Sequence, residues 1–307
     1  MIPVFNREDY IADCIQSALD QTIVDYEIVI VDNASTDKTW DICRNFASCD
    51  PRIRIFRNKE NIGPVRNWRR CFDEARGVYG KLLFSDDLIY PSYLEKTLPY
   101  LENPQIGFVF TAVEIGAVPG MGRLDFFWEA KADKIPSIEF IESILSGKNC
   151  LASPGAGLFR MDDLRNNLRL EIPSPSFHDF QEHGAGPDLL LYLLTASMYP
   201  FVAYIYEPLA FFRIHENSIT IKKKSDFCSV RYLQTKIWFA YQNADTTSLK
   251  YLLAKAWIKE CIRLREILAI NEFSRRYVKE EQHISTSEII WVCLDGFYRK
   301  ILTFFKN

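Results

Sequence analysis

The most informative segment of the chain runs Gly77-Val-Tyr-Gly-Lys-Leu-Leu-Phe-Ser-Asp-Asp-Leu-Ile-Tyr-Pro91. Its apolar part, Lys81–Phe84, is short enough for a buried strand, and two adjacent carboxylates, Asp86 and Asp87, follow it. Pro91 then excludes a continued strand and permits a helix to begin. Because acidic groups just beyond the carboxyl end of a strand lie where open α/β sheets bind ligands, the segment predicts a ligand site.

Two neighbouring carboxylates repel each other unless a cation or hydrogen-bond donors hold them. Oxygen ligands at the edge of a sheet suit Mg²⁺ or Mn²⁺ carrying a diphosphate. The alternative is a solvated Asp-Asp turn that caps the next helix, and the dipeptide taken alone favours this turn. The rest of the chain favours the metal site.

Strand patterns and helix patterns alternate around this segment. The predicted strands are Ile2–Phe5, Tyr26–Val31, Arg52–Arg57, Tyr79–Phe84, Gly107–Val113, a strand within Ala152–Arg160, and Phe201–Tyr206. One predicted helix ends near Leu19, and the others span Lys38–Ala47, Val65–Ala75, Pro91–Leu101, Ser137–Ser146 and Leu189–Ser197. Such alternation implies βαβ units with right-handed crossovers and a mostly parallel sheet. Ala117–Ile135 and Leu168–Gly186 are predicted as loops.

The ends of three predicted strands carry polar groups. Phe5, Asp32 and the pair Asp86-Asp87 each follow the carboxyl end of a strand. In a parallel sheet these ends meet at one edge, so we expect the groups to converge on one cleft. That convergence favours a nucleotide site over three unrelated turns.

Composition limits the alternatives. The chain has 307 residues, 48% hydrophobic and 25% charged, with a net charge of −3, which suits a globular protein and argues against general nucleic-acid binding. Its eight cysteines form no CxxC pair, so a reducing cytoplasm is the expected setting, with Cys14, Cys43 and Cys71 as core residues. We expect no signal peptide, and Pro200 interrupts the most apolar stretch, Leu189–Tyr206, so no membrane span is expected.

Four short motifs follow one another along the chain: Pro3-Val4-Phe5-Asn6; Asp32-Asn33-Ala34-Ser35-Thr36-Asp37; Asn61-Ile62-Gly63 with Arg66-Asn67; and Ser85-Asp86-Asp87. In this order they resemble the motifs of family 2 glycosyltransferases, in which the first reads Pro-Val-Tyr-Asn, the second Asp-Gly-Ser-Thr-Asp and the last Asp-X-Asp. The resemblance covers roughly residues 2–222. Each motif is weak alone, and the ordered series is specific. The resemblance implies the GT-A fold, a Rossmann-like α/β architecture with helices flanking the sheet.

The resemblance also implies roles for the nucleotide-binding residues. Pro3 and Phe5 would flank the base, and Asp32 would accept a hydrogen bond from a uracil-type N–H group. Arg66 would lie beside the base, and Asp86 would lie near the ribose.

The same resemblance assigns the metal and the catalytic base. Asp87 would coordinate Mg²⁺ or Mn²⁺ on the diphosphate, and His215 would join the metal or a phosphate. Asp188, which opens a helix before an apolar run, would be the general base. The alternative for Asp188 is helix capping, because Gly186-Pro187-Asp188 is a good helix start. The fallback candidates for the base are Asp179 and Glu182, and the nearby His178 and His183 could contact the acceptor or solvent.

We therefore predict a metal-dependent inverting glycosyltransferase. Its donor would be a nucleotide-sugar, with UDP as the nucleotide, and its acceptor a surface glycan or a lipid-linked saccharide precursor. The alternative is a non-catalytic sugar-nucleotide-binding or scaffolding protein, supported by Ser85 in place of an acid and by Pro187 where the family often has Glu. No Gly-x-Gly-x-x-Gly fingerprint follows the first strand, which disfavours a dehydrogenase. The first strand is also short for the family, which indicates either an upstream start or a short central strand.

The predicted catalytic domain spans residues 1–222, with a nucleotide-sugar half at about 1–113 and an acceptor half at about 114–222. Residues 223–307 carry helical apolar spacing and almost no Gly or Pro, and they predict a helical C-terminal extension. The apolar and basic residues from Ile289 onward fit an interfacial helix at the inner face of the cell membrane. They fit equally well a helix that packs on the catalytic domain, or on a second copy of the chain in a homodimer.

Overall fold

The computed structural model describes residues 1–126, 128, 133–148, 153–172, 180–216, 225–243, 245–265, 267–278, 282 and 284–294. The chain divides into two compact units. Unit 1 comprises Met1–Glu171 and Phe180–Ser225, and unit 2 comprises Ile172–Asp179 and Asp226–Asn307. The boundary predicted after residue 222 falls outside the described ranges. The residues predicted to bind the nucleotide and the metal, and the predicted base Asp188, all lie in unit 1.

A three-stranded parallel sheet begins unit 1. Its order is β1 (Ile2–Val4), β2 (Ile28–Asp32) and β3 (Ile53–Arg57), with Val4 opposite Asp32 and Asp32 opposite Arg57. The β-branched run of β2 is buried at all five residues, as expected for a strand covered on both faces. The predicted alternation of strand and helix is confirmed here, with α1 (Ile11–Leu19), α2 (Thr39–Cys49) and α3 (Pro64–Glu74) between and after the strands.

The predicted strand Tyr79–Phe84 is wrong in its extent. Only β4 (Tyr79–Gly80) is a strand, and it pairs antiparallel with β9 (Gly157–Arg160). Residues 81–84 instead lie beside β1, where the Met1 amino group donates to the Lys81 carbonyl at 2.9 Å and the Leu83 amide donates to the Met1 carbonyl at 2.9 Å. The chain passes from one sheet to the other at Gly80, where a Cβ atom would lie 2.2 Å from the Met161 sulfur, so a side chain there would displace that of Met161.

The second sheet of unit 1 has seven strands in the order β4-β9-β6-β10-β5, with β7 and β8 paired to β6 and β10. The remaining strands are β5 (Leu88–Ile89), β6 (Ile106–Gly116), β7 (Arg123–Asp125), β8 (Lys134–Pro136) and β10 (Phe201–Arg213). Only β6 and β10 pair in parallel, and the other pairs are antiparallel. The α/β class is confirmed, and this sheet contains more antiparallel pairs than predicted.

Three elements of unit 1 differ from the sequence prediction. The predicted loop 117–135 contains β7 and most of β8, each only three residues long. The strand predicted to end at Tyr206 continues to Arg213, because register shifts around Pro208 keep β10 paired with β6. A short helix, α6 (Met161–Asn167), follows β9 directly.

The remaining helices of unit 1 are α4 (Tyr93–Leu101), α5 (Ser137–Ser146), α6 and α7 (Pro187–Ala196). Aromatic rings pack α5 and α7 on this sheet. The ring of Phe108 on β6 lies 5.3 Å from Phe140 on α5 and 4.9 Å from Tyr192 on α7. These fully buried rings fix where α7 begins, because its apolar face has only one well-packed position against the sheet.

A buried amide network locks the loops after β2 and β3 to α3. The Asn58 side-chain amide donates to the oxygens of Asn33 at 2.7 Å and Asn67 at 2.9 Å. Asn67 donates in turn to the Val31 carbonyl at 3.0 Å, and Asn33 donates to Asn61 at 2.9 Å. Buried polar groups that satisfy one another in this way specify a single arrangement of the chain.

The cysteines in the described part of unit 1 are three core thiols and one surface thiol. Cys14, Cys43 and Cys71 are buried, as predicted, and burial raises the pKa of Cys43 and of Cys71 to about 12. Cys49 at the end of α2 is exposed. In unit 2, Cys293 is exposed.

Unit 2 is helical in its described residues. Its elements are α8 (Ser225–Gln242), α9 (Thr246–Leu264), α10 (Ile270–Ser274) and the helical residues 286–294. Lys250 pairs with Glu288 at 3.3 Å, and the rings of Tyr251 and Trp291 lie 4.9 Å apart. None of the described helices combines the length and the hydropathy needed to cross a membrane.

We expect Asn58→Ala to lower the free energy of unfolding by about 2–4 kcal/mol, because it leaves the buried oxygens of Asn33 and Asn67 without this donor. Urea denaturation would measure the change. The exposed Asn45 on α2 provides the control, since Asn45→Ala should change stability by less than about 0.5 kcal/mol. Equal midpoints for the two variants would contradict the structural role of the network.

Candidate functional site

The pair Asp86-Asp87 lies in a turn held by the end of β10. The Asp87 amide donates to the Phe84 carbonyl at 2.9 Å, which closes the turn, and β5 then pairs with β10 through Leu88 and Phe211. This pairing places Arg213 beside the two carboxylates. The Arg213 backbone amide donates to Asp87 Oδ1 at 2.9 Å, and its Nε donates to the Asp86 carbonyl at 3.1 Å.

The Asp86 carboxylate contacts two further side chains. His215 Nε2 shares a hydrogen bond with Asp86 Oδ2 at 2.8 Å, and Arg7 Nε lies 3.5 Å from the same oxygen. The ring of Tyr10 lies 4.5 Å from the His215 ring, and the Arg213 guanidinium reaches Asp13 of α1 at 3.0 Å. The structure therefore brings Asp86, Asp87 and His215 together, as predicted.

Burial shifts the pKa values of two ionisable groups in this cluster, Asp87 and Lys81. Burial raises the pKa of the Asp87 carboxyl well above its ordinary value, and the adjacent Asp86 charge raises it further, while the bond from Arg213 opposes the shift. Burial also lowers the pKa of the Lys81 ammonium to about 7, against the attraction of the Asp87 charge. A cation brought to Asp87 would relieve both the burial cost and the repulsion from Asp86.

The donor set fits a divalent cation shared with a ligand better than one held by protein alone. Carboxylate oxygens of Asp86 and Asp87 are hard ligands of the kind that Mg²⁺ and Mn²⁺ prefer. Within the described ranges, no group of three or more His, Cys, Asp or Glu side chains is arranged to hold an ion. Such sites are completed by water and by phosphate oxygens of the ligand.

Asp32 lies at the end of β2 and is already held by two donors. Its side chain is fully buried, Arg57 Nε lies 3.1 Å from Oδ2, and the Ser35 amide donates to the same oxygen at 3.1 Å. The Arg57 guanidinium also covers the Trp40 ring at 5.3 Å. Arg57 thus fixes the carboxylate at the edge of the sheet, where the sequence predicted it.

The loops after β1 and β2 interlock through side chains. The Asn6 amide donates to the Ser35 hydroxyl at 2.9 Å, and the Thr36 amide donates to Asn6 Oδ1 at 2.8 Å. Asn6 and Ala34 adopt left-handed backbone conformations, with φ of 49° and 62°, which the mutual hydrogen bonds hold in place. The two loops therefore act as one surface.

The remaining predicted nucleotide-binding residues occupy different environments. Pro3 is buried within β1, opposite Val31, whereas the Phe5 side chain is 38% exposed at the end of that strand. Arg66 is exposed on α3. Phe5 and Arg66 are thus accessible to a ligand, and Pro3 contributes chiefly to the strand.

Asp188 lies in the first turn of α7 and is buried. Its Oδ1 accepts the backbone amides of Gly186 at 2.8 Å and of Leu189 at 2.6 Å, and Gly186 itself has φ of 113°. These contacts match the helix-start alternative, and they also fix the carboxylate in one orientation. Both roles are compatible with this geometry.

The loop before Asp188 packs against the nucleotide half. A Cβ atom on Gly184 would lie 2.7 Å from the Trp68 ring, and that ring lies 5.4 Å from Phe84, next to the acidic turn. His183, which was predicted to contact the acceptor or solvent, is buried and accepts the Ala185 amide through Nδ1, and the fallback base Glu182 is exposed. His178 and Asp179 lie outside the described residues.

Sequence reasoning missed three cationic contributors. Arg7 contacts Asp86 from the loop after β1, Arg57 pairs with Asp32, and Lys81 is buried behind Asp87. Arg7 is adjacent to the first motif and could have been suggested by that position. Lys81 interrupts an otherwise apolar run, which is the only sequence signal it offers.

Comparisons with known proteins identify the family of this chain. The glycosyl transferase family 2 model matches residues 1–162, more than half of the chain. The putative teichuronic acid biosynthesis glycosyltransferase TuaG of Bacillus subtilis (strain 168) is 29% identical over 244 residues, which cover 79% of this chain and 86% of TuaG. Chondroitin synthase of Pasteurella multocida (strain Pm70) is 35% identical over 111 residues, 36% of this chain and 11% of that enzyme.

Solved structures share the fold. The crystal structure of S. aureus TarS 1-349 in complex with UDP-GlcNAc has a TM-score of 0.64 at 16% identity, covering 91% of this chain and 80% of that chain. TarS 1-349 in complex with UDP gives a TM-score of 0.62 at 15% identity over 84% of this chain and 70% of that chain. The fold, the ordered motifs and the family match together establish that this chain belongs to glycosyl transferase family 2 and is a glycosyltransferase of the GT-A fold.

Proposed function

We propose that this enzyme transfers a sugar from a UDP-sugar to a hydroxyl group of a growing surface glycan or of its lipid-linked precursor, with inversion at the anomeric carbon. The cluster of Asp86, Asp87, Arg213 and His215 carries the proposal. It combines two carboxylates for a divalent cation with cationic side chains that suit a diphosphate.

The nucleotide half of the proposal concerns the loops after β1 and β2. Asp32 would accept the uracil N–H group, while Phe5 and Arg66 are accessible to the base, and Pro3 shapes the strand beneath it. Asp86 would lie near the ribose. TarS, which has the same fold, has been solved with UDP and with UDP-GlcNAc, and this supports uracil as the base.

Asp87 would hold Mg²⁺ or Mn²⁺ together with the diphosphate, and His215 would join the metal or a phosphate. When bound, the ion would stabilise the negative charge of the departing nucleoside diphosphate. Arg7 and Arg213 add positive charge around Asp86. Both can hydrogen-bond phosphate oxygens if the ligand displaces part of this network.

Asp188 is the proposed general base. Its position at the start of α7 favours the carboxylate form, because the positive end of a helix stabilises negative charge. The two backbone bonds to Oδ1 restrict its rotation, so the group can be held toward one acceptor hydroxyl. A fixed orientation is what proton transfer in a transition state requires.

The proposed glycosyl transfer is a direct displacement at the anomeric carbon. The acceptor oxygen forms a bond to the anomeric carbon while the bond from that carbon to the diphosphate oxygen breaks. The acceptor proton moves to Asp188, and the nucleoside diphosphate leaves with the electron pair of the broken bond. Attack from the face opposite the leaving group gives inversion.

The acceptor and the location are proposed from the relatives. TuaG is named for teichuronic acid biosynthesis, which supports a cell-envelope glycan as the acceptor. We place the reaction in the cytoplasm at the inner face of the cell membrane. The helices of unit 2 would contact the membrane surface, and a homodimer formed through these helices is the alternative use of the same segment.

Asp188→Asn should lower kcat by about 10²- to 10⁴-fold, because the amide cannot accept the proton, while the affinity for UDP stays unchanged. Release of UDP in the presence of an acceptor measures kcat, and calorimetry measures the affinity. The control is Asp162→Asn, which alters an exposed first-turn acid of α6. Normal turnover by Asp188→Asn would transfer the role to another group, and UDP binding without turnover in the wild type would support the non-catalytic alternative.

Asp87→Ala should weaken Mn²⁺-dependent UDP binding by at least about tenfold, since it removes a carboxylate ligand of the ion. Addition of EDTA to the wild-type protein should have the same effect, and EDTA should have little further effect on the variant. Calorimetry with and without Mn²⁺ provides both measurements. The exposed Asp41 supplies the control variant, Asp41→Ala. Identical metal dependence in Asp87→Ala and wild type would contradict the assignment.

The pH dependence of stability follows from the raised pKa of Asp87. A carboxyl whose pKa is higher in the folded state loses stability as the pH rises from its ordinary value, near about 4, through the raised value. Asp87→Asn removes this loss and keeps an oxygen for the Arg213 amide. In the metal-free protein we therefore expect the variant to have the higher Tm at pH 8 and a shrinking advantage toward pH 4. Parallel Tm curves would contradict the shift.

A further inference from the structure

The backbone of one short turn is held by side chains from both sides of the site. Residues 153–157, Ser-Pro-Gly-Ala-Gly, form this glycine turn at the start of β9, and residues 154–156 are a single 3₁₀ turn. Three of its carbonyl oxygens, at Ser153, Gly155 and Ala156, accept hydrogen bonds from distant side chains. The turn is therefore held through its backbone carbonyls, and its own side chains give no sign of this in the sequence.

Two of the donors come from the segment that carries Asp87. Lys81 is 7% exposed, its Nζ donates to the Gly155 carbonyl, and it lies 4.6 Å from the centre of the Tyr93 ring. The Tyr93 hydroxyl donates to the Ala156 carbonyl at 3.4 Å. Lys81 and Tyr93 lie six residues before and six residues after Asp87, so they bracket the acidic turn.

The third donor comes from the helix that carries Asp188. Tyr192 lies one helical turn beyond Asp188 on α7, is fully buried, and donates to the Ser153 carbonyl at 3.0 Å. A Cβ atom on Gly157 would lie 2.6 Å from the Tyr192 oxygen. This approach requires glycine at that position, because any side chain would push α7 away from the turn.

The glycine turn also touches the strand that ends at the metal cluster. A Cβ atom on Gly155 would lie 3.2 Å from the ring of Phe212, the residue before Arg213 on β10. The turn thus meets the Asp87 segment, the Asp188 helix and β10. No other turn in the described part of unit 1 is bonded through its carbonyls to side chains from both the Asp87 segment and α7.

We propose that the glycine turn sets the distance between Asp87 and Asp188, and that Lys81 and Tyr192 are positioning residues for glycosyl transfer. The inference rests on the proposed roles of those two aspartates. Neither positioning residue touches the substrate, and each acts by holding one side of the site against the same rigid backbone. A displacement of about 1 Å between reacting groups can cost about 10²-fold in rate, so hydrogen bonds to a fixed backbone are well suited to this task.

The two residues should affect different kinetic constants. Tyr192 fixes the helix of the base, so its loss should alter the chemical step and leave donor binding intact. Lys81 fixes the turn against the segment of Asp87, so its loss should affect both kcat and the KM for the donor. A purely structural role would instead lower the Tm and the amount of active protein without dividing the kinetic constants in this way.

The first test is Tyr192→Phe, which removes only the hydroxyl. We expect kcat to fall by at least about tenfold, with the donor KM and the UDP affinity within about twofold of wild type. The matched control is Tyr199→Phe, three residues beyond the end of α7, which removes a hydroxyl that donates to Asp163 on α6 at 2.9 Å and is not bonded to the turn. A kcat for Tyr192→Phe equal to that of the control would overturn the inference.

The second test is a double-mutant cycle with Lys81→Met. Because both residues act through the same turn, the combined loss in kcat should be clearly smaller than the product of the two single losses. Multiplicative losses would overturn the inference. If Lys81→Met does not fold, Lys81→Arg takes its place, since it keeps the charge and changes the reach to the Gly155 carbonyl.

The outcomes separate this inference from the proposed function. If Asp188→Asn and Asp87→Ala lose activity as expected and Tyr192→Phe does not, the function stands and the role of the turn is wrong. If Asp188→Asn and Asp87→Ala behave like wild type, the assignment of the aspartates fails, and a normal Tyr192→Phe then fails the inference as well.

Discussion

The buried carboxylate of Asp87, next to the carboxylate of Asp86, is the constraint that the surrounding structure has to meet. A buried charge beside a like charge is unfavourable unless donors or a cation compensate it. Here the compensation comes from the backbone of Arg213, which requires β10 to extend past Pro208 and to pair with β5. The extended strand then delivers His215 to Asp86. The need to compensate the buried Asp87 carboxylate therefore links the acidic turn, the length of β10 and the position of His215.

The nucleotide side and the reacting side of the site differ in the kind of contact that holds them. On the nucleotide side, interlocked loops and a ladder of buried asparagine amides give a rigid surface with Asp32 held by Arg57. On the reacting side, charged groups compete for the same oxygens, since Arg7 and His215 both contact Asp86 Oδ2. Rigid shape suits recognition of a base, and exchangeable charge contacts suit a diphosphate that arrives with a cation.

Local patterns predicted much of the fold and the centre of the site. The buried β-branched run of β2 and the apolar faces of α1 and α3 are strong periodic signals, and the groups at strand ends follow from the topology. Long-range contacts explain the failures. Residues 81–84 leave the strand that begins at Tyr79 and bond to Met1, and β7 and β8 are three-residue strands paired to longer ones. Lys81 and Arg7 carry no periodic signal, because their roles depend on residues far away in the chain.

The distribution of thiols offers a practical consequence. The core cysteines, Cys14, Cys43 and Cys71, are inaccessible, and the high pKa of Cys43 and Cys71 keeps those thiols protonated at neutral pH. Cys49 and Cys293 are exposed, one on each compact unit. Spin labels or fluorophores attached to Cys49 and Cys293 would therefore report on the two units during turnover.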